Sequence, residues 1–266
     1  AEDELFGMSQ SPSQSSAPAR KASVQNPSSE SILLKMEEKL AVRMTKDGSV
    51  DSVEVKGELK MLIQDPEATY ARVQLENSSD KAFQFKTHPN INRGLWAEEA
   101  VLSHKDQSKS FPVGNELGIL KWRATSSSLT LPISVSCWPS ASGSESQVNI
   151  EYESESSLQI NDLRVSVPCG GGGKVLEASE GQARYLAKSE TVEWRVEMVD
   201  DSNRNGSLEF TASETDTDSF FPISVGFSAN STICDIQLVK VTDARNGSNL
   251  SFNVTASLEV EEYEIE

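Results

Sequence analysis

Near the C-terminal end of the chain, Phe252, Val254, Ala256, Leu258 and Val260 alternate without a break with Ser251, Asn253, Thr255, Ser257 and Glu259. Successive side chains of a β-strand point to opposite faces, so this pattern sets one apolar face against one polar face, and a slip of one residue would put all five apolar groups in water. The same period of two recurs in Val53, Val55, Leu59, Met61 and Ile63, in Val148, Ile150 and Tyr152, and in Val192, Trp194, Val196 and Met198. Turn signals separate the runs: Lys46-Asp47-Gly48, Asn203-Arg204-Asn205-Gly206 and Asn246-Gly247. Helical stretches are expected only at Ala97 to Lys105 and at Ser31 to Lys39. Many short antiparallel strands with frequent turns predict an all-β chain, folded as one β-sandwich or two in series.

One strand phrase occurs twice. Leu131-Pro132-Ile133-Ser134-Val135 is echoed by Phe221-Pro222-Ile223-Ser224-Val225, and in each copy a Pro opens an alternating run where no ladder donor is needed. The two copies are expected to bracket an inserted module, as a pair of strands crossing between two parts of the fold.

Residues 1 to about 30 are rich in Ser, Pro, Gln and Ala and cannot bury enough apolar surface to offset the entropy of ordering, so a disordered linker is expected there. Within it Leu5-Phe6 sits among acids, either as a solvated end or as a short docking motif. The chain opens on Ala1-Glu2-Asp3-Glu4, with neither an initiator Met nor a charged-then-apolar leader, and reads as a fragment of something longer. A formal net charge of −17 argues against nucleic acid, which needs clustered Lys and Arg, and disfavours direct binding to anionic lipid. No apolar run approaches the roughly 20 residues of a spanning helix. The three cysteines, Cys137, Cys169 and Cys234, are too few and too scattered for a disulfide framework or a zinc site, which fits a reducing compartment.

Catalytic motifs find little support. His88 and His104 match no metal-ligand spacing, and no Ser stands in a nucleophile-elbow context. The run Cys169-Gly170-Gly171-Gly172-Gly173-Lys174 lacks both the Gly and the Ser or Thr that a phosphate loop requires, because Pro168 and Val175 stand at those positions. It is expected to be a flexible loop. No catalytic residue, metal ligand or cofactor is expected. Six Asn-X-Ser/Thr sequons, at Asn77, Asn205, Asn230, Asn246, Asn249 and Asn253, support a rival reading as a secreted immunoglobulin-like glycoprotein. No disulfide pattern accompanies them.

Several stretches, taken in order, resemble the coatomer delta subunit family: Phe85-Lys86-Thr87-His88-Pro89-Asn90, Phe111-Pro112-Val113, Leu117 to Arg123, Leu131 to Ser140, Val148 to Glu153, Gly206 to Phe210 and Phe220-Phe221-Pro222. The resemblance covers about residues 31 to 266 and implies an elongated, immunoglobulin-like mu-homology domain. In it subdomain B, at 140–220, is inserted into subdomain A, at 31–139 and 221–266. It further implies a non-enzymatic, cytosolic coat subunit of COPI vesicles, held peripherally on Golgi membranes through the coat and acting in retrograde Golgi-to-endoplasmic-reticulum and intra-Golgi transport. Its partners would be the other coatomer subunits and Trp-containing peptide motifs of tethering factors and of an Arf GTPase-activating protein.

Related adaptor medium subunits read Tyr-based sorting signals with an Asp on the first strand and a Trp and an Arg on a late strand. Here the corresponding positions hold Met36, Phe252 and Val254, so reading of Tyr signals is not expected. A binder of acidic Trp peptides needs an apolar cleft bordered by cations. The expected site residues lie in subdomain A: Lys86, Lys121 and Arg123 as cations, His88 and Asn90 as polar orienting groups, and Trp122 as a wall or, by its opposite facing, as core.

Overall fold

The computed structural model describes residues 30–170 and 172–266. The expected linker thus falls outside the described residues except for Glu30, and so does Gly171 of the glycine run. In chain order the strands are β1 (Ile32–Met44), β2 (Val50–Ile63), β3 (Ala71–Asn77), β4 (Gln84–Thr87), β5 (Val101–Leu102), β6 (Glu116–Ala124), β7 (Ser134–Ser142) and β8 (Glu145–Glu153). Then come β9 (Ile160–Pro168), β10 (Lys174–Ala178), β11 (Gln182–Leu186), β12 (Thr191–Val199), β13 (Asn205–Ala212), β14 (Ile223–Ala229), β15 (Ile236–Asp243) and β16 (Phe252–Ile265). Among the described residues one short α-helix, α1 (Arg93–Glu99), lies between β4 and β5, and 3-10 turns occur at Pro66–Ala68 and Thr217–Phe220.

Three sheets form: β11-β12-β9-β14-β16-β1-β2-β6-β4, then β10-β13-β8-β7, then β15-β3-β5. The four-stranded sheet comes wholly from 134–212, which also supplies β9, β11 and β12 at one end of the nine-stranded sheet. There Tyr152 of β8 meets Trp194 of β12 with ring centroids 5.3 Å apart, and the apolar faces of all three sheets share a continuous core. Burial of those faces is the main favourable term in such a fold. The alternation in β16 is realised, with a bulge: β1 runs parallel to β16 from Ile32↔Phe252 to Leu40↔Val260, then pairs Ala41 with Glu262. The extra residue, Glu261, switches the phase of the strand so that Tyr263 and Ile265 face the core.

Four expectations are corrected. The stretch from Ser31 to Lys39 is β1, not helix: Ile32, Leu34, Met36, Glu38 and Leu40 are all buried, and that period of two overrides the helix-favouring Lys and Glu between them. The second helix lies earlier than expected, at Arg93–Glu99, because the Asn92 side chain caps it by accepting from the Gly94 and Leu95 amides, and Ala100 ends it at φ 52°. The two copies of the repeated phrase are not a pair. β14 bridges β9 and β16 in the large sheet, whereas β7 is an edge strand of the small one, paired only with β8 from Ser134 to Ser142. Finally, Asn205 and Gly206 belong to β13 rather than to a turn. Gly206 lies opposite Tyr152, and its missing side chain makes room for the Tyr152 ring.

Candidate functional site

The antiparallel registers of β1, β2, β6 and β4 bring residues far apart in sequence into rows across the sheet. One row is Glu38, Gly57, Trp122 and Phe85, whose side chains point toward the core. On either side of it run rows that point to solvent: Glu37, Glu58, Lys121 and Lys86 on one, and Lys39, Lys56, Arg123 and Gln84 on the other. A trough of about 630 Å³ follows the inward row across the strands. Its floor is backbone, and its walls are the two outward ladders, closed at the β16 end by Ser257 and Glu259. Long Lys and Arg stems along such walls offer methylene surface to a ligand while their charges stay in water.

The walls are a lattice of ion pairs. Lys60 reaches Glu37 at 2.6 Å, Lys121 reaches Glu58 at 3.4 Å, Lys39 reaches Glu261 at 2.9 Å and Arg123 Nε donates to Glu54 at 2.6 Å. Hydrogen bonds from Lys35 and then Lys60 hold the Glu37 carboxyl below its ordinary range, and Lys56, followed by Arg123, does the same for Glu54. Among the described residues Lys86 has no ion-pair partner, so its charge is available to a ligand. In a chain of net charge −17, this face concentrates Lys39, Lys56, Lys60, Lys86, Lys121 and Arg123 around one depression.

Beneath the floor lies a buried carboxylate. The Trp122 indole crosses under β2, which it can do because position 57 is Gly, and its Nε1 donates to Glu38 Oε1 at 2.7 Å. The same carboxylate accepts from the backbone amides of Cys234, at 3.0 Å on Oε1, and of Ile233, at 2.5 Å on Oε2. Three donors offset part of the cost of burying the charge, yet burial still pushes the Glu38 carboxyl above its ordinary range.

Of the expected site residues, Lys86, Lys121 and Arg123 come together on the walls of the trough. Trp122 is no wall: only 3% of it is exposed, its ring lies on the core side, and its backbone helps form the floor. His88 and Asn90 lie beyond the end of β4, outside the trough. There the His88 Nδ1 accepts from the Asn90 amide, the Ile91 amide donates to the His88 carbonyl, and Lys105 donates to the Asn90 and Pro89 carbonyls. They build a turn instead of orienting a ligand in the trough. Sequence reasoning missed Lys39, Lys56 and Lys60; the signal was their place at the outward positions of β1 and β2. Among the described residues no cluster of three His, Cys, Asp or Glu could hold a metal ion, and no helix is long and apolar enough to cross a membrane.

Residues 17–266 match the adaptor complexes medium subunit family. The chain belongs to that family. It is 35% identical over 243 residues to coatomer subunit delta-1 of Oryza sativa subsp. japonica, which covers 90% of this chain and 46% of that protein. The chain thus spans about half the length of the curated relatives it matches. Among solved structures, the yeast delta-COP-I mu-homology domain is 26% identical with a TM-score of 0.78, covering 91% of this chain and 100% of that one. The same yeast domain complexed with a Dsl1 WxWxV peptide is 25% identical with a TM-score of 0.76, with the same shares covered. The fold is that of a mu-homology domain.

As a member of the medium subunit family, the chain carries Met36, Phe252 and Val254 on neighbouring strands: Ile32 pairs with Phe252, Leu34 with Val254 and Met36 with Ala256. All three lie on the core-facing side of β1 and β16, and none carries a charge.

Proposed function

We propose that this chain is the mu-homology part of a coatomer delta-type subunit and serves as a non-catalytic docking module. It divides into subdomain A, at 31–139 and 221–266, and an inserted subdomain B, at 140–220, although the unbroken pairing of β7 with β8 starts the inserted sheet at Ser134. The similarity to delta subunits over nine-tenths of the chain supports a cytosolic coat role, peripheral on Golgi membranes and COPI vesicles, in retrograde and intra-Golgi transport. The other coatomer subunits would be its partners there. The yeast domain's complex with a Dsl1 WxWxV peptide supports recognition of Trp-bearing motifs, and tethering factors and an Arf GTPase-activating protein would be the proteins that carry them.

The observation that carries the site is the trough, whose walls gather six Lys and Arg, five of them paired with Glu and Lys86 left without an ion pair among the described residues, on an otherwise acidic molecule. An acidic segment is drawn to those walls, and its Trp lies on the backbone floor between Lys and Arg stems. One Trp buries about 150–250 Å², worth roughly 4–6 kcal/mol gross. Two of them give about 8–12 kcal/mol gross, and even the smallest association cost, about 4 kcal/mol, leaves no more than about 8 kcal/mol, so micromolar is the tightest affinity expected, which suits a coat that comes apart.

Calorimetric titration with an acidic peptide bearing two Trp residues tests this. The variant Lys86→Glu reverses the charge that has no internal partner and should weaken binding by about 0.5–2 kcal/mol, roughly 2- to 30-fold, with a shallower salt dependence. Equal affinity and equal salt dependence in wild type and variant would sink the site. Preference for a Tyr-X-X-apolar peptide would sink the function.

A further inference from the structure

Glu38 connects two faces of the molecule. Through Trp122 it reaches the underside of the trough floor, and through the amides of Ile233 and Cys234 it holds the segment that leads into β15. That segment lines a second cavity, of about 710 Å³, together with Met36, Phe83, Leu129 and Leu158. One carboxylate, 2% exposed, therefore terminates three hydrogen bonds from two separate structures. None of the three donors has another acceptor among the described residues.

The floor is thin at this point. A Cβ on Gly57 would come within 2.1 Å of the Trp122 ring, so the indole lies directly against the β2 backbone whose other side a ligand in the trough would touch. Any adjustment of that backbone moves the ring, and the ring is tied to Glu38.

We infer that Glu38 is a positioning residue that joins the trough floor and the Ile233–Cys234 segment into one unit, so that filling the trough tightens that segment. The inference rests on the trough's being a peptide site. Loss of a buried acceptor leaves its donors unsatisfied, and two elements sharing one acceptor adjust together.

The chemistry selects an informative variant. In Glu38→Gln the remaining oxygen can still accept from Trp122 and Cys234, which share Oε1, while the amide nitrogen faces the Ile233 amide, donor against donor. The change leaves the Lys, Arg and Glu side chains of the trough walls in place, removes only the carboxylate beneath the floor, and releases one contact of the segment.

The test measures backbone amide exchange at Ile233 and Cys234 in the whole chain, with and without a saturating acidic peptide bearing two Trp residues. Peptide should slow exchange at both amides in wild type and in Lys86→Glu, once each is saturated. In Glu38→Gln the slowing at Ile233 should vanish and affinity should fall by about 5-fold or more. Wild-type binding that depends on Lys86 but leaves both amides unchanged overturns the inference alone. Binding indifferent to Lys86, or none, overturns the reading of the trough and the inference with it.

Discussion

Replacing Gly57 with Ala tests the layer beneath the trough most directly. The new Cβ would stand 2.1 Å from Trp122 Cε2 and 2.2 Å from its Nε1. Non-bonded carbons rest at about 3.5–4.0 Å, so the ring must retreat by roughly 1.5 Å. A shift of that size breaks the 2.7 Å bond from Nε1 to Glu38. Overpacking of a core costs about 1–3 kcal/mol. A lost hydrogen bond to a buried charge adds about 1.5–3 kcal/mol. The expected destabilisation is therefore about 2.5–6 kcal/mol, a large part of the roughly 5–15 kcal/mol available to a domain. Urea unfolding followed by far-ultraviolet circular dichroism measures it without relying on emission from any one of the four Trp residues. Gly226→Ala in β14 is the control, since a Cβ there meets nothing within 4 Å, and it should change stability by less than about 0.5 kcal/mol. A loss below about 1 kcal/mol in Gly57→Ala would refute the close approach of ring and strand.

Two further outcomes follow from other parts of the fold. Arg245, stacked on Tyr70 with its guanidinium carbon 4.4 Å from the ring centroid, hydrogen-bonds the nearly buried Asp243 and holds its carboxyl below the ordinary range. A depressed native pKa stabilises the fold above the unfolded value of about 3.9 and loses that effect as pH falls through the native one. Wild type should thus be more stable than Asp243→Asn at pH 6, and the two urea curves should draw together as pH falls below the unfolded value. Cys137, Cys169 and Cys234 are all buried, and burial pushes the Cys137 thiol up to about 12. A thiol reagent at pH 8 should leave all three unmodified over minutes in the native chain and label all three in denaturant; prompt native labelling would contradict the packing around them.

The strands were legible where one face is apolar and the other polar, as in β16, β2, β8 and β12, because burial of one face imposes a period of two. β1 was missed because its outward positions hold Lys35, Glu37 and Lys39, good helix formers, and one inward position holds Glu38. A charged residue at a core position looks like a break in the pattern until its three donors are known. The cations Lys86, Lys121 and Arg123 were legible as residue types. Their meeting was not, since Lys86 and Lys121 face each other only through the β4–β6 register, and Lys56 joins them only through β2. The role of Gly57 left no trace in the sequence, because an absent side chain matters only when its neighbour across the sheet is known. The repeated Pro-Ile-Ser-Val phrase misled about pairing: local pattern specifies a half-buried strand, and sheet membership depends on partners elsewhere.

The parallel pairing of β1 with β16 also sets a schedule for assembly. Ile32 finds Phe252 only after the chain has grown by 220 residues, and without β16 the nine-stranded sheet falls into two pieces, one ending at β14 and the other at β1. At about 5–20 residues per second, a ribosome needs roughly 10–45 s to supply that last partner. Throughout that interval the β1–β2 hairpin presents an unpaired edge more than ten residues long, the kind of template on which chains aggregate. Lys35, Glu37, Lys39 and Arg43 along that edge then act as guards of an unfinished sheet, a duty they discharge before β16 docks and before the trough beside them exists.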